Sequence, residues 1–160
     1  MKRVSTCLAA LFAAVLVLPL LAAAATTAKS VTFHLVEKQT AFNFIDNPPR
    51  QGPRQPPLMG DQFVFTSDLI TKSGAHAGLG SVTCTVVAGG SNPSGPCYGT
   101  FSFKGGEIMV MARVVFSSTT TEGAIVGGTG VYRGATGYII SVSRSEDSPY
   151  SDDAVHITLP

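Results

Sequence analysis

The sequence has no tryptophan, and only 13% of its 160 residues are charged. It also lacks a helical apolar period anywhere after its first 28 residues, which excludes bundles and other all-α architectures. Basic residues are few: Lys and Arg number 11 against 10 Asp and Glu. Setting aside residues 1–28 removes Lys2 and Arg3 and leaves nine against ten, close to −1 with no basic stripe. Such a chain cannot neutralise phosphates in the number that nucleic acids require, so no nucleic-acid partner is expected. No internal repeat of fixed period occurs, which excludes propellers and solenoids. There is no Gly-x-Ser-x-Gly elbow for a nucleophilic hydrolase. No Asn-x-Ser/Thr acceptor exists either, because Asn92-Pro93-Ser94 is blocked by its proline. Disorder is excluded by the 44% apolar content, enough for a core in one domain.

What is present begins with a leader. Lys2 and Arg3 precede an apolar run from Leu8 to Leu21, followed by Ala22-Ala23-Ala24-Ala25. Basic, apolar and then small is the order of a secretory signal. The run is shorter than the ~20 apolar residues of a membrane span. Residues 1–28 are therefore expected to be removed, with cleavage near Ala24 to Ala28, giving a secreted protein without a stable membrane anchor. Cys84 and Cys97 are then the only remaining cysteines. An even pair in an oxidising compartment predicts a disulfide.

Residues 29–160 read as one all-β domain. Strand-length segments fall at Val31–Lys38, Gln62–Thr71, Leu79–Ala88, Tyr98–Lys104, Glu107–Phe116, Ala124–Val126, Thr136–Arg144 and Ala154–Leu159. About eight strands at this spacing predict a sandwich or barrel, and closure into a barrel would remove exposed edges. A proline-rich connection at about 46–60, holding Pro48-Pro49 and Pro56-Pro57, breaks the pattern as a loop or arm.

The residues that could carry chemistry are sparse. Gly127-Gly128-Thr129-Gly130 with Gly134 follows a strand, yet lacks the Gly-Lys-Ser/Thr of a phosphate loop. Arg133 also stands where a dinucleotide fingerprint needs glycine, and a strand pattern follows instead of a helix. Gly127, Gly128, Gly130 and Gly134 are thus expected to build a structural turn. His34, His76 and His156 have no metal-ligand spacing, and no metal site is expected. The acidic stretch Glu146, Asp147, Asp152 and Asp153 lacks the alternating ligands of a calcium loop and reads as a solvated loop. On the fifth segment, Ile108, Val110, Ala112, Val114 and Phe116 share one face, and Glu107, Met109, Met111 and Arg113 the other. The pattern leaves open which face looks inward. An inward Arg113 would orient a ligand carboxylate or phenol; an outward one would sit on the surface or at a subunit contact. His34 on the first segment faces the same choice, with Glu37 on the opposite side.

The segment Ala124-Ile125-Val126-Gly127-Gly128-Thr129-Gly130-Val131-Tyr132-Arg133-Gly134-Ala135-Thr136-Gly137-Tyr138 resembles the glycine-rich stretch of dirigent proteins and allene oxide cyclases. Gly60-Asp61 before a strand and the opening Phe33-His34-Leu35-Val36-Glu37 are similar elements in the same order. The resemblance implies an eight-stranded antiparallel up-and-down β-barrel with an apolar cavity, of the calycin type. It implies a cofactor-free protein that binds an apolar or phenolic small molecule and steers its cyclisation or coupling, acting through orientation and exclusion of water. It also implies a homo-oligomer, a trimer or dimer. Against the cyclases, His34 falls at the position of a first-strand glutamate, Cys84 matches a cysteine, and hydroxyl side chains at Ser117–Thr121 replace a tyrosine. His34, Arg113 and Tyr138 are the candidate ligand-binding groups, and no catalytic residue is assigned. The alternative is a non-catalytic extracellular binding or structural module whose barrel is filled by side chains.

Overall fold

The computed structural model of the chain describes residues 28–48, 56–145 and 148–160. The leader expected over 1–28 lies outside the described residues apart from Ala28, as does the centre of the proline-rich connection, residues 49–55. Eight strands follow one another: β1 (Lys29–Ile45), β2 (Gln62–Thr71), β3 (His76–Thr85), β4 (Ser94–Phe103), β5 (Gly106–Val115), β6 (Thr120–Gly128), β7 (Thr136–Ser143) and β8 (Tyr150–Leu159). Each pairs antiparallel with its sequence neighbour, and β1 pairs with β8, so the sheet closes into an up-and-down barrel. Among the described residues the one helical element is a 3-10 turn at Gly130–Tyr132.

Five strands run three or more residues beyond the segments that alternation marks, β3 starting at His76 and β4 at Ser94. β1 continues to Ile45 through a bulge between Gln39 and Ala41. An extra residue there shifts the inward set from Leu35, Glu37 and Gln39 to Phe42, which breaks a strict two-residue period. β6 takes in the hydroxyl residues Thr120 and Thr121, and β8 begins at Tyr150. Of the acidic stretch, Glu146 and Asp147 lie outside the described residues. Asp152 and Asp153 belong to β8, and Asp153 is 2% exposed, so the expectation of a solvated loop fails for it.

The barrel has a filled end and an open end. The filled end is packed by Leu35, Leu69, Phe101, Ile108, Ile125 and Val155, with Phe33, Phe103 and Tyr132 against them. The glycine-rich segment closes it from below. Thr129 N–H donates to the Glu107 carbonyl at 2.8 Å and Val131 N–H to the Gly105 carbonyl at 3.0 Å. Gly130 has φ +58°, and a Cβ there would lie 2.0 Å from the Gly105 carbonyl oxygen, so glycine is needed at that point. A Cβ on Gly128 would meet the Tyr132 carbonyl at 2.4 Å, and Gly134 has φ +76°. Gly127 has neither restriction.

Candidate functional site

Inward-facing residues of the open half enclose a cavity of about 460 Å³, within the range of ~300–1,000 Å³ that holds small-molecule ligands. Small residues make the room: Gly80, Gly99 and Gly123 all face the interior, and Ala112 lines it. One wall is apolar and aromatic, with Phe63, Phe65, Phe101, Val110, Val114 and Phe116. The rings of Phe42, Phe44 and Phe116 gather around Phe63 near the mouth, the tightest pair 4.5 Å between centroids. The opposite wall is hydroxyl-rich, with Thr121, Ser141, Ser143, Ser148 and Ser151.

Cys84 and Cys97 are direct cross-strand partners on β3 and β4 and form a disulfide whose sulfurs face this cavity. The pairing expected from the sequence is present.

At the floor stands a pair of carboxyls that the sequence reading did not put in the site. Glu37 lines the cavity from β1. Asp153 faces inward from β8, in the layer between Glu37 and the hydrophobic core, two residues before the fully buried Val155. Ser67, 1% exposed on β2, donates its hydroxyl to Glu37 Oε1 at 2.5 Å. Gly80 beside them leaves the space, since a Cβ there would lie 2.3 Å from Ser67 Oγ and 3.2 Å from Glu37 Oε1. Ser151 donates to Asp153 Oδ1 at 3.3 Å. Asp153 Oδ2 makes no hydrogen bond within ordinary limits, and Glu37 and Ser141 reach the carboxyl through looser contacts. Burial pushes the Asp153 carboxyl up to about 7, and the neighbouring Glu37 charge raises it further toward that value. Burial also raises Glu37, opposed by hydrogen bonds from Ser67 and others. Two desolvated acids this close share a proton near neutral pH, one held as acid and one as carboxylate. Such a pair can donate a proton to a ligand oxygen or nitrogen, or accept one.

The three candidate ligand-binding residues lie elsewhere. On β5 it is the Ile108–Val110–Ala112–Val114 face that turns inward, so Arg113 points out of the barrel, exposed, with a 3.3 Å hydrogen bond to Ser94 Oγ. His34 is exposed on the outer face of β1, because Phe33, Leu35 and Glu37 occupy the inner one. Tyr138 is also outside, stacked 4.4 Å from the His156 ring, whose Nδ1 meets Thr32 Oγ1 at 2.8 Å. None of the three lines the cavity. The reason is parity: an apolar barrel interior takes the Phe, Leu and Val positions, and the intervening polar residues face water. Extending the inward set Phe33, Leu35 by one step, and the set Ile157, Val155 by one step back, would have found Glu37 and Asp153. Among the described residues no three His, Cys, Asp or Glu side chains gather as metal ligands.

Solved structures with this architecture include a pyocyanin demethylase, 23% identical with a TM-score of 0.67, covering 79% of this chain and 99% of that one. The pterocarpan synthase dirigent protein GePTS1 is 18% identical with a TM-score of 0.60, covering 82% and 88%. AbnU, an exo-specific intermolecular Diels-Alderase, is 14% identical with a TM-score of 0.64, covering 84% and 100%. At these identities the likeness is one of fold. No curated protein matches the sequence. The family model described as Dirigent-like protein matches residues 30–159, the whole length of the barrel, and the chain belongs to the dirigent-like family.

Proposed function

We propose that this protein binds an apolar or phenolic small molecule in the open half of the barrel and steers its cyclisation or coupling there. The buried Glu37–Asp153 pair carries this reading, because ionisable groups held in an apolar cavity at a perturbed pKa are the usual mark of proton-transfer chemistry. The aromatic wall would hold the ligand's flat face and fix its conformation. The protonated member of the pair would stabilise charge developing on an oxygen at the reacting centre, away from bulk water. No cofactor enters this reading. Dirigent-like proteins are generally extracellular, and secretion fits the disulfide and the leader. For the expected homo-oligomer, the exposed outer stripe of Tyr98, Met109, Met111 and Val126 is the surface we assign to the contact.

The alternative of a filled barrel is disfavoured by the cavity itself. The test is uptake of N-phenyl-1-naphthylamine, a neutral fluorescent probe, together with native mass spectrometry of the purified protein for a retained ligand. Uptake by the wild type and its loss in Ala112→Phe, which fills the cavity from β5, is the expected result. Absence of uptake by the wild type, with no retained mass, would overturn the reading and leave a structural or interaction role.

A further inference from the structure

The cavity is unbalanced in charge. Its described lining holds Glu37 and no Lys, Arg or His, and Asp153 lies buried beneath it. The charged residues of the adjoining strands face outward: Lys38 and His34 on β1, Asp68 on β2, and Asp152 on β8, which is occupied by Arg144 at 3.0 Å. Asp153 keeps one carboxylate oxygen without a hydrogen bond while only 2% exposed. The rings of Phe65 and Phe101 line the cavity above this negatively charged floor, and those of Phe42, Phe63 and Phe116 gather near its mouth. Aromatic faces attract cations, and the ionised member of the buried pair, which no basic side chain of the lining offsets, is stabilised by a positive charge brought into the cavity.

We infer that the cavity selects flat aromatic molecules bearing a positive charge, or a nitrogen basic enough to take a proton from the floor, and rejects aromatic carboxylates. This rests on the small-molecule reading above and narrows it to a ligand class. The selectivity is opposite to the one an inward Arg113 would impose. A cationic ring also alters the floor: its charge favours the ionised form of the pair, so binding expels a proton. Besides Glu37 and Asp153, the other titratable group lining this cavity among the described residues is Tyr150; the neighbouring inward residues Ser67 on β2 and Ser141 on β7 do not titrate near neutrality.

The experiment compares three ligands of the same three-ring outline by calorimetry: 10-methylacridinium, neutral 10-methylacridone and anthracene-9-carboxylate. The cation is expected to bind about tenfold or more tightly than the neutral ring, and the carboxylate more weakly than either. Titrations in buffers of different ionisation enthalpy should show proton release for the cation, and affinity for it should rise as pH passes upward through 7. The double variant Glu37→Gln/Asp153→Asn should retain the neutral ring and lose both the preference and the proton release. Equal binding of cation and neutral ring, or tighter binding of the carboxylate, would overturn this inference while leaving small-molecule binding intact. Binding of none of the three would overturn both.

Discussion

A carboxyl with a raised folded-state pKa makes the barrel less stable as the solution becomes more basic, and Asp153 is the place to measure it. Its ordinary value is 3.8, and in the fold it stands at about 7. Below 3.8 both the folded and unfolded chains hold the proton, and the group contributes its full share of stability. Between 3.8 and 7 the unfolded chain releases its proton while the folded chain keeps it, so that contribution is progressively lost as pH rises. At 1.36 kcal/mol per pH unit the loss amounts to about 4 kcal/mol by pH 8, an upper bound because water entering the open cavity solvates the charge. The Asp153→Asn variant removes the ionisation and nearly preserves shape. The wild type and variant should have similar stability at pH 4, and the variant should gain steadily to pH 8. Urea unfolding at unit pH steps, with the disulfide intact, measures the difference directly. In a thermal melt the same gain is on the order of 10 °C. A difference between the two proteins that stays flat from pH 4 to 8 would refute the buried, proton-sharing pair.

Three further outcomes follow from the same geometry. Replacing both Cys84 and Cys97 by Ala, 13 positions apart, should lower the unfolding free energy by about 3 kcal/mol from the released loop, read by denaturant titration. Gly130→Ala places a Cβ against the Gly105 carbonyl at a positive φ and should cost about 2 kcal/mol or more, visible as a lower melting temperature with ligand uptake retained in the protein that folds. Arg113→Ala, by contrast, removes a side chain outside the barrel and should change probe affinity by less than about twofold, checked by the same fluorescence titration.

Much of the barrel could be read from the sequence because its strands are bounded by turn chemistry that acts locally. Lys104-Gly105-Gly106 and the Gly127–Gly134 segment announce reversals whatever the rest of the chain does. The site was harder, since it depends on which face of each strand is inside. For β5 both faces are apolar enough to be buried, Met109 and Met111 on one and Val110 and Val114 on the other; closure of the sheet decided between them. Asp153 was obscured by its neighbours: next to Asp152, and soon after Glu146 and Asp147, it looks like one more solvated charge. It is buried because Val155 and Ile157, on the same side of β8, are anchored in the core and fix the strand's rotation. The bulge after Gln39 hid the second half of β1, as a two-residue period cannot be followed across an added residue.

The glycine-rich segment and the acid pair occupy different levels of the barrel, and that separation shapes what relatedness can mean for such a protein. Substitutions in the turn that seals the base are punished through folding, whatever reaction the molecule performs. Those on the hydroxyl wall and at the mouth meet a weaker test, since Ser, Thr or Phe can be exchanged there on strands already fixed from below. A lineage built this way would keep a constant signature at one pole while its chemistry drifted at the other. The stretch by which such proteins recognise one another as kin is then the stretch least informative about what each of them makes.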